Sequence, residues 1–169
     1  MGRYGKVLIA IVLLVYGFLA LDFSKKQGFW HDEIYTLTFI RGVSAYEFEG
    51  GVLKKEEYPK TSKEYQSEIQ KDLFWNQFPT LILHEGHPPL YYLSIKVWST
   101  IFGYNEVVLR SFSVFCGLLS FLVLFNLFKK RSSNVYSFWA IVFISVTNPF
   151  LFYFFTEARM YSLSFLFAT

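Results

Sequence analysis

Three short runs carry side chains able to do chemistry. In GFWHDEIYTL (28–37) two carboxylates, Asp32 and Glu33, are adjacent and sit between aromatic residues. In LHEGHPPLYY (83–92) His84, Glu85 and His87 crowd together ahead of two prolines. In NPFLFYFFTEARMYSL (148–163) Glu157 and Arg159 follow a strongly apolar run. Charged groups beside hydrocarbon are costly and tend to be functional. A carboxylate there is a candidate proton acceptor. Imidazole and carboxylate together are ligands for divalent metals. A guanidinium matches phosphate oxygens in a bidentate way.

Each run also has a structural reading. HDEIYTLTFIRG (31–42) reads as a short helix starting near Asp32 and ending before Gly42, with Ile34, Leu37 and Thr38 on one face. An Asp at a helix start accepts backbone N–H bonds and meets the positive end of the dipole, and Glu33 is favourable there for the same reason. Capping and catalysis both remain open for this pair. The spacing His84-Glu85-Gly86-His87 is not HExxH, in which both His share one helical face. Pro88 and Pro89 favour extended backbone before them, which points Glu85 and His87 the same way. Those two residues are the candidate metal ligands; the alternative is a polar turn with Pro at the first helical position. Glu157 and Arg159 can be a loop ion pair or interfacial anchors.

The elements that must position these residues are membrane spans. The chain has 169 residues, 53% hydrophobic and 22% aromatic, with 21 Phe and 12 Tyr. That exceeds the apolar share of an ordinary soluble domain, roughly 45–50%. A net charge of +3 leaves no nucleic-acid footprint. Cys116 is the single cysteine, so no disulfide forms within the chain, and its apolar surroundings suit inert packing. The fold class is all-α: residues 1–6 cytoplasmic, 7–23 a span, 24–106 an outer loop with juxtamembrane helices, 107–128 a span, 129–134 a cytoplasmic loop, 135–155 a span, and 156–169 an outer turn with the start of a fourth span. The first run is longer than a secretory h-region, which favours an uncleaved anchor. The apolar run after Met160 stops short of a full span, as expected for a piece of a longer protein.

Residues 88–103 are the ambiguous stretch: short for a crossing, and with Lys96 in the middle. They read as a helix at the interface. Arg3 and Lys6 then fall on the same side as Lys129, Lys130 and Arg131, as the positive-inside rule prefers. Asp32 and Glu157 emerge on the opposite, outer face. Within the outer loop, acids and bases are mixed, and 61–77 reads as an amphipathic helix opened by a capping-box spacing at Thr61 and Glu64.

One span, then WHDEIYTL, then HPPLYYLSIKVWSTIFGYNEVVLRSFS, then TEARMYSL: this order resembles the N-terminal part of the GT-C membrane glycosyltransferases of the family 39 type, a group similar to protein O-mannosyltransferases and to the lipid A aminoarabinose transferase. The likeness runs from the first span to the end of the chain. It implies transfer of a sugar from a polyprenyl-phosphate carrier to a lipid, glycan or protein acceptor on the outer or lumenal face, in a bacterial inner membrane. It implies that Asp32 is the essential acid of the first outer loop, with Glu33 beside it. It places Pro88, Pro89 and Leu90 at the start of a helix by the active site. His87 fills the position of a basic residue facing the carrier phosphate, and is cationic when protonated. Glu157 is the nearest match to a second acid, and Arg159 is a candidate for the phosphate. Some relatives bind a divalent metal near these loops, where Glu85 is close to the matching position.

The chemistry so implied needs a base for the acceptor and cations for the departing phosphate. A single displacement would invert the anomeric centre, by analogy with inverting glycosidases. Two other classes compete: a polytopic transporter or flippase, and a non-catalytic membrane subunit. A transporter predicts charges deep within spans. The long apolar runs here hold none, because Asp22 and Arg110 sit near ends.

Overall fold

The computed structural model describes residues 3–25, 31–42, 74–84, 88–131 and 134–169. Those residues form helices and connecting turns, with no strand among them. In chain order the helices are α1 (Arg3–Ser24), α2 (His31–Arg41), α3 (Phe74–His84), α4 (Pro89–Phe102), α5 (Glu106–Arg131), α6 (Val135–Thr147), α7 (Pro149–Thr156) and α8 (Tyr161–Ala168). They divide into two units. One comprises Met1–Gly28 and Phe102–Thr169; the other is Phe29–Ile101.

The first unit is the membrane bundle. Helix α1 has 22 residues and α5 has 26, so they extend about 33 and 39 Å, enough for a hydrocarbon core of about 30 Å. Both are apolar enough to cross. Their outer faces are apolar: Leu14 and Phe18 of α1 and Leu122 and Leu127 of α5 are exposed. Such faces suit lipid and would be a liability in water. Helices α6 and α7 together make a third candidate span, bent by 53°. The bend has a local cause. Asn148 ends α6 in extended backbone and caps α7, its Oδ1 accepting from the Phe150 and Leu151 amides at 2.9 and 3.2 Å. Pro149 follows at the first helical position, where its missing N–H costs nothing. The interruption expected from Asn148 and Pro149 is therefore present.

Leu13, Tyr16, Phe121, Phe125, Phe138, Val142 and Phe155 make the bundle's core. The Tyr16 ring meets Phe121, Phe152 and Phe155 edge-on, with centroids 5.3, 5.5 and 6.4 Å away. Edge-to-face contacts of this kind add to burial. Gly117 is what lets α7 approach α5, since a Cβ there would lie 2.3 Å from the Phe155 ring. Hydroxyls inside the bundle bond back to their own helix: Ser24 to the Ala20 carbonyl, Ser120 to that of Cys116. That satisfies them without a partner helix.

Helices α1 and α5 are antiparallel. Arg110, in the first turns of α5, donates to the carbonyl of Ser24, the last residue of α1, at 2.7 Å. Farther along, Leu118 lies against Gly17 and Phe121 against Tyr16. Arg3 and Lys6 thus share an end of the bundle with Lys129, Lys130 and Arg131. Ser24, the last residue of α1, and Glu106, the first of α5, share the opposite end. Helix α4 has 14 residues, about 21 Å, and Gly103 ends it with φ +106°.

In the second unit α2, α3 and α4 pack together. Phe39 of α2 stacks on Tyr92 of α4, with centroids 3.8 Å apart and planes at 19°. Helix α2 spans the expected residues, and Gly42 closes it at φ +79°, its amide donating to the Phe39 carbonyl at 2.9 Å. This is the usual glycine stop. Its buried face differs from the expected one. Glu33, Thr36, Phe39 and Ile40 are buried with Thr38, whereas Ile34 and Leu37 are half-buried. The stripe is rotated because Tyr92 and Lys96 of α4 meet the helix along Phe39 and Ile40. Of the helix expected over 61–77, residues 61–73 lie outside those described, and 74–77 open α3, which continues through Pro79 to His84.

Candidate functional site

Helix α2 presents the carboxylate pair. Asp32 and Glu33 both fall in its first turn, where the positive end of the dipole favours negative charge. One helical step separates them by about 100°, since an α-helix has about 3.6 residues per turn. The consequence is opposite environments: Asp32 is exposed, and Glu33 has no exposed surface. Of the two residues, Asp32 is the one reachable from outside the helix packing. Glu33 shares the buried face with Thr36 and Ile40, one and two turns on.

The far end of the same face holds a buried cation. Lys96 of α4 has 1% of its surface exposed. Its Nζ donates to the Ile40 carbonyl at 2.9 Å and lies 5.2 Å from the centre of the Phe74 ring of α3. Carbonyls of a helix's last turn lack partners within the helix, and the negative end of the dipole attracts a cation. Lys96 therefore caps α2 from another helix, with cation–π support from α3. It ties the three helices of this unit together and fixes the backbone on which Asp32 and Glu33 sit.

In the membrane bundle, Glu157 and Arg159 lie in the turn between α7 and α8. Glu157 ends α7 in extended backbone and is 8% exposed. The Arg159 amide donates to the Glu157 carbonyl at 2.9 Å, which folds the turn tightly. Arg159 is half-buried, and its guanidinium stands 4.9 Å from the centre of the Tyr161 ring. Its backbone carbonyl accepts from the Ser113 hydroxyl at 3.4 Å, pinning the turn to α5. One turn before Ser113, Arg110 is 2% exposed and holds the end of α1. This end of the bundle thus carries a polar layer of Ser24, Arg110, Ser113, Glu157 and Arg159.

Of the residues singled out from the sequence, the structure brings Asp32 and Glu33 together on α2, and Glu157 and Arg159 together at the α7–α8 turn. Glu85 and His87, the candidate metal ligands, lie outside the described residues, and His87 is also the basic residue before the prolines. Among the described residues, no group of three His, Cys, Asp or Glu is placed to hold a metal ion. Sequence reasoning did not assign Arg110, Ser113 or Lys96 to these sites. The usable signal was a cation within an apolar helix, which must find a partner.

Comparison with protein-family models, with curated proteins and with solved structures found no match for this chain.

Proposed function

We propose that this chain carries the N-terminal elements of a membrane glycosyltransferase of the GT-C type, which moves a sugar from a polyprenyl-phosphate carrier to an acceptor outside the cytoplasm. The observation that carries the reading is the division of labour on α2: an exposed Asp32 beside a fully buried Glu33, on a helix tied down by Lys96. It is joined by the order of the motifs WHDEIYTL, HPPLYY and TEARMYSL between apolar helices.

In this reading Asp32 removes the proton of an acceptor hydroxyl or amine as that group attacks the anomeric carbon. The bond from that carbon to the phosphate oxygen breaks, and polyprenyl phosphate leaves with the electron pair. A phosphate is already a good leaving group, so the site supplies positive charge rather than an acid. Arg159 is the described residue best suited to that role, since its guanidinium is held against Tyr161 at the end of the bundle. Glu33 holds the local structure of α2 from within, and the lipid-facing apolar helices accommodate the isoprenoid tail.

The decisive variant is Asp32→Asn in the full-length enzyme, reconstituted in lipid with a polyprenyl-phosphate sugar. Asn is as good as Asp at a helix start but takes no proton near neutral pH. Turnover should fall on the order of 10²–10⁴-fold, the usual contribution of a general base, with an unchanged thermal melt. Near wild-type turnover would remove Asp32 from the mechanism. Glu33→Gln should show the converse pattern, a lowered melt with turnover retained in the folded fraction.

A further inference from the structure

Beyond this reading, and independent of it, the opposite end of the bundle carries a groove that no step above uses. It lies between the last turns of α5 and the first turns of α6, and has a volume of about 730 Å³. Leu127, Phe128, Lys130 and Arg131 line it from α5, Ser137 and Ile141 from α6. Its walls are graded along the bundle axis. Lys130, Arg131 and Ser137 stand near the helix ends. Leu127 lies four residues, about 6 Å, before the end of α5, and Ile141 six residues, about 9 Å, past the start of α6. The mouth is cationic and hydroxylic; the floor is aliphatic and aromatic.

Among the described residues of α5, α6 and α7, no acid stands at this mouth. From Val107 to Thr156 the sequence contains no Asp or Glu, and the flanking acids, Glu106 and Glu157, belong to the other end of α5 and of α7. Arg3 and Lys6 add to the same end through the antiparallel pairing of α1 and α5. A site with two cations above a strip of apolar side chains fits a molecule with a phosphate at one end and acyl chains at the other. Basic pockets between transmembrane helices hold anionic lipid headgroups in this manner.

We propose that this groove binds one anionic phospholipid, its phosphate held by Lys130 and Arg131 with the Ser137 hydroxyl, and its chains lying on Leu127, Phe128 and Ile141. A cationic helix end also follows from the positive-inside rule alone, which asks for charge but not for a groove. The test separates the two. Full-length protein in non-ionic detergent is titrated with phosphatidylglycerol, phosphatidylcholine or inorganic phosphate, and bound species are counted by native mass spectrometry. One phosphatidylglycerol should be retained in preference to phosphatidylcholine. The Lys130→Gln, Arg131→Gln double variant should weaken it by at least about tenfold, at roughly 1 kcal/mol for each basic residue near the surface. Ser137→Trp, which fills the exposed mouth and keeps both cations, should weaken it similarly. It decides the matter if the double variant does not fold. Equal retention of the two lipids, displacement by equimolar inorganic phosphate, or full phosphatidylglycerol binding in Ser137→Trp would overturn the proposal.

Discussion

Adjacent carboxylates can be chemically unequal for a simple geometric reason: a single helical step turns Asp32 outward and Glu33 inward. The sequence marks the pair as candidates, but it carries no measure of which one faces protein. The same holds for cations. Lys96 finds its acceptor at a carbonyl 56 residues earlier in the chain, and Arg110 at one 86 residues earlier. Neither carbonyl has a side-chain signature, so these partnerships are invisible to spacing rules. Both acceptors are in the last turn of a helix, α2 or α1, where an unpartnered carbonyl and the dipole act together. Lys96→Met keeps the stem and removes the charge. It strands a buried carbonyl and should lower stability by about 1–3 kcal/mol, read as a fall in thermal midpoint in detergent. Lys96→Arg, with a longer reach to the same acceptor, should recover part of the loss. An unchanged midpoint in Lys96→Met would show that water replaces the ammonium group, and that the cap is not what holds α2.

At the scale of elements, legibility follows from how local the cause is. The glycine stop at Gly42, the proline start at Pro89, the Asn148–Pro149 break and the end of α4 at Gly103 are set by residues at those positions, and each is where the sequence indicates. What packs against what is not local. Gly117 sits unremarked within α5, yet it receives the ring of Phe155 from a helix entered more than thirty residues later. Gly117→Ala should therefore cost about 1–3 kcal/mol through overpacking, although Ala is the better helix former. Combining it with Phe155→Leu should cost less than the two changes added, because they share one contact. Strict additivity by thermal melt would mean that the close approach is not the cause. Tyr16 offers the opposite sign. Among the described residues its buried hydroxyl has no hydrogen-bond partner, while its ring is held by three phenylalanines. Tyr16→Phe should leave the melt unchanged or raise it, since removing an unmatched polar group relieves a desolvation cost. A drop above about 1 kcal/mol would reveal a bonded hydroxyl.

At the scale of the molecule, the arrangement of ends is fixed by α1 and α5 alone. Their antiparallel contact puts Arg3 and Lys6 at the same end of the bundle as Lys129, Lys130 and Arg131, about 39 Å of α5 away from Glu106. That length exceeds the hydrocarbon core of about 30 Å, so the two ends of α5 meet opposite aqueous phases when it spans. The cationic end is expected in the cytoplasm, because cytoplasmic ends collect Lys and Arg. The Glu157–Arg159 turn, at the end of the bundle where Arg110 holds Ser24, is expected on the other side. Cysteine labelling reads this directly, since the one native thiol, Cys116, is buried and gives little background. Tyr4→Cys and Tyr136→Cys are at positions 91% and 81% exposed at the cationic end, and Lys25→Cys is at an exposed position just past α1. A membrane-impermeant maleimide applied to intact cells should label Lys25→Cys and spare the other two; inside-out vesicles should reverse the pattern. Labelling of Tyr136→Cys and Lys25→Cys from the same side would break the link between the α1–α5 pairing and the crossing of α5. Labelling of Tyr4→Cys and Tyr136→Cys from outside, with Lys25→Cys protected, would keep the bundle but invert it. The Glu157–Arg159 turn would then face the cytoplasm, and under the proposed function Arg159 could not meet the phosphate of a carrier-linked donor used at the outer face.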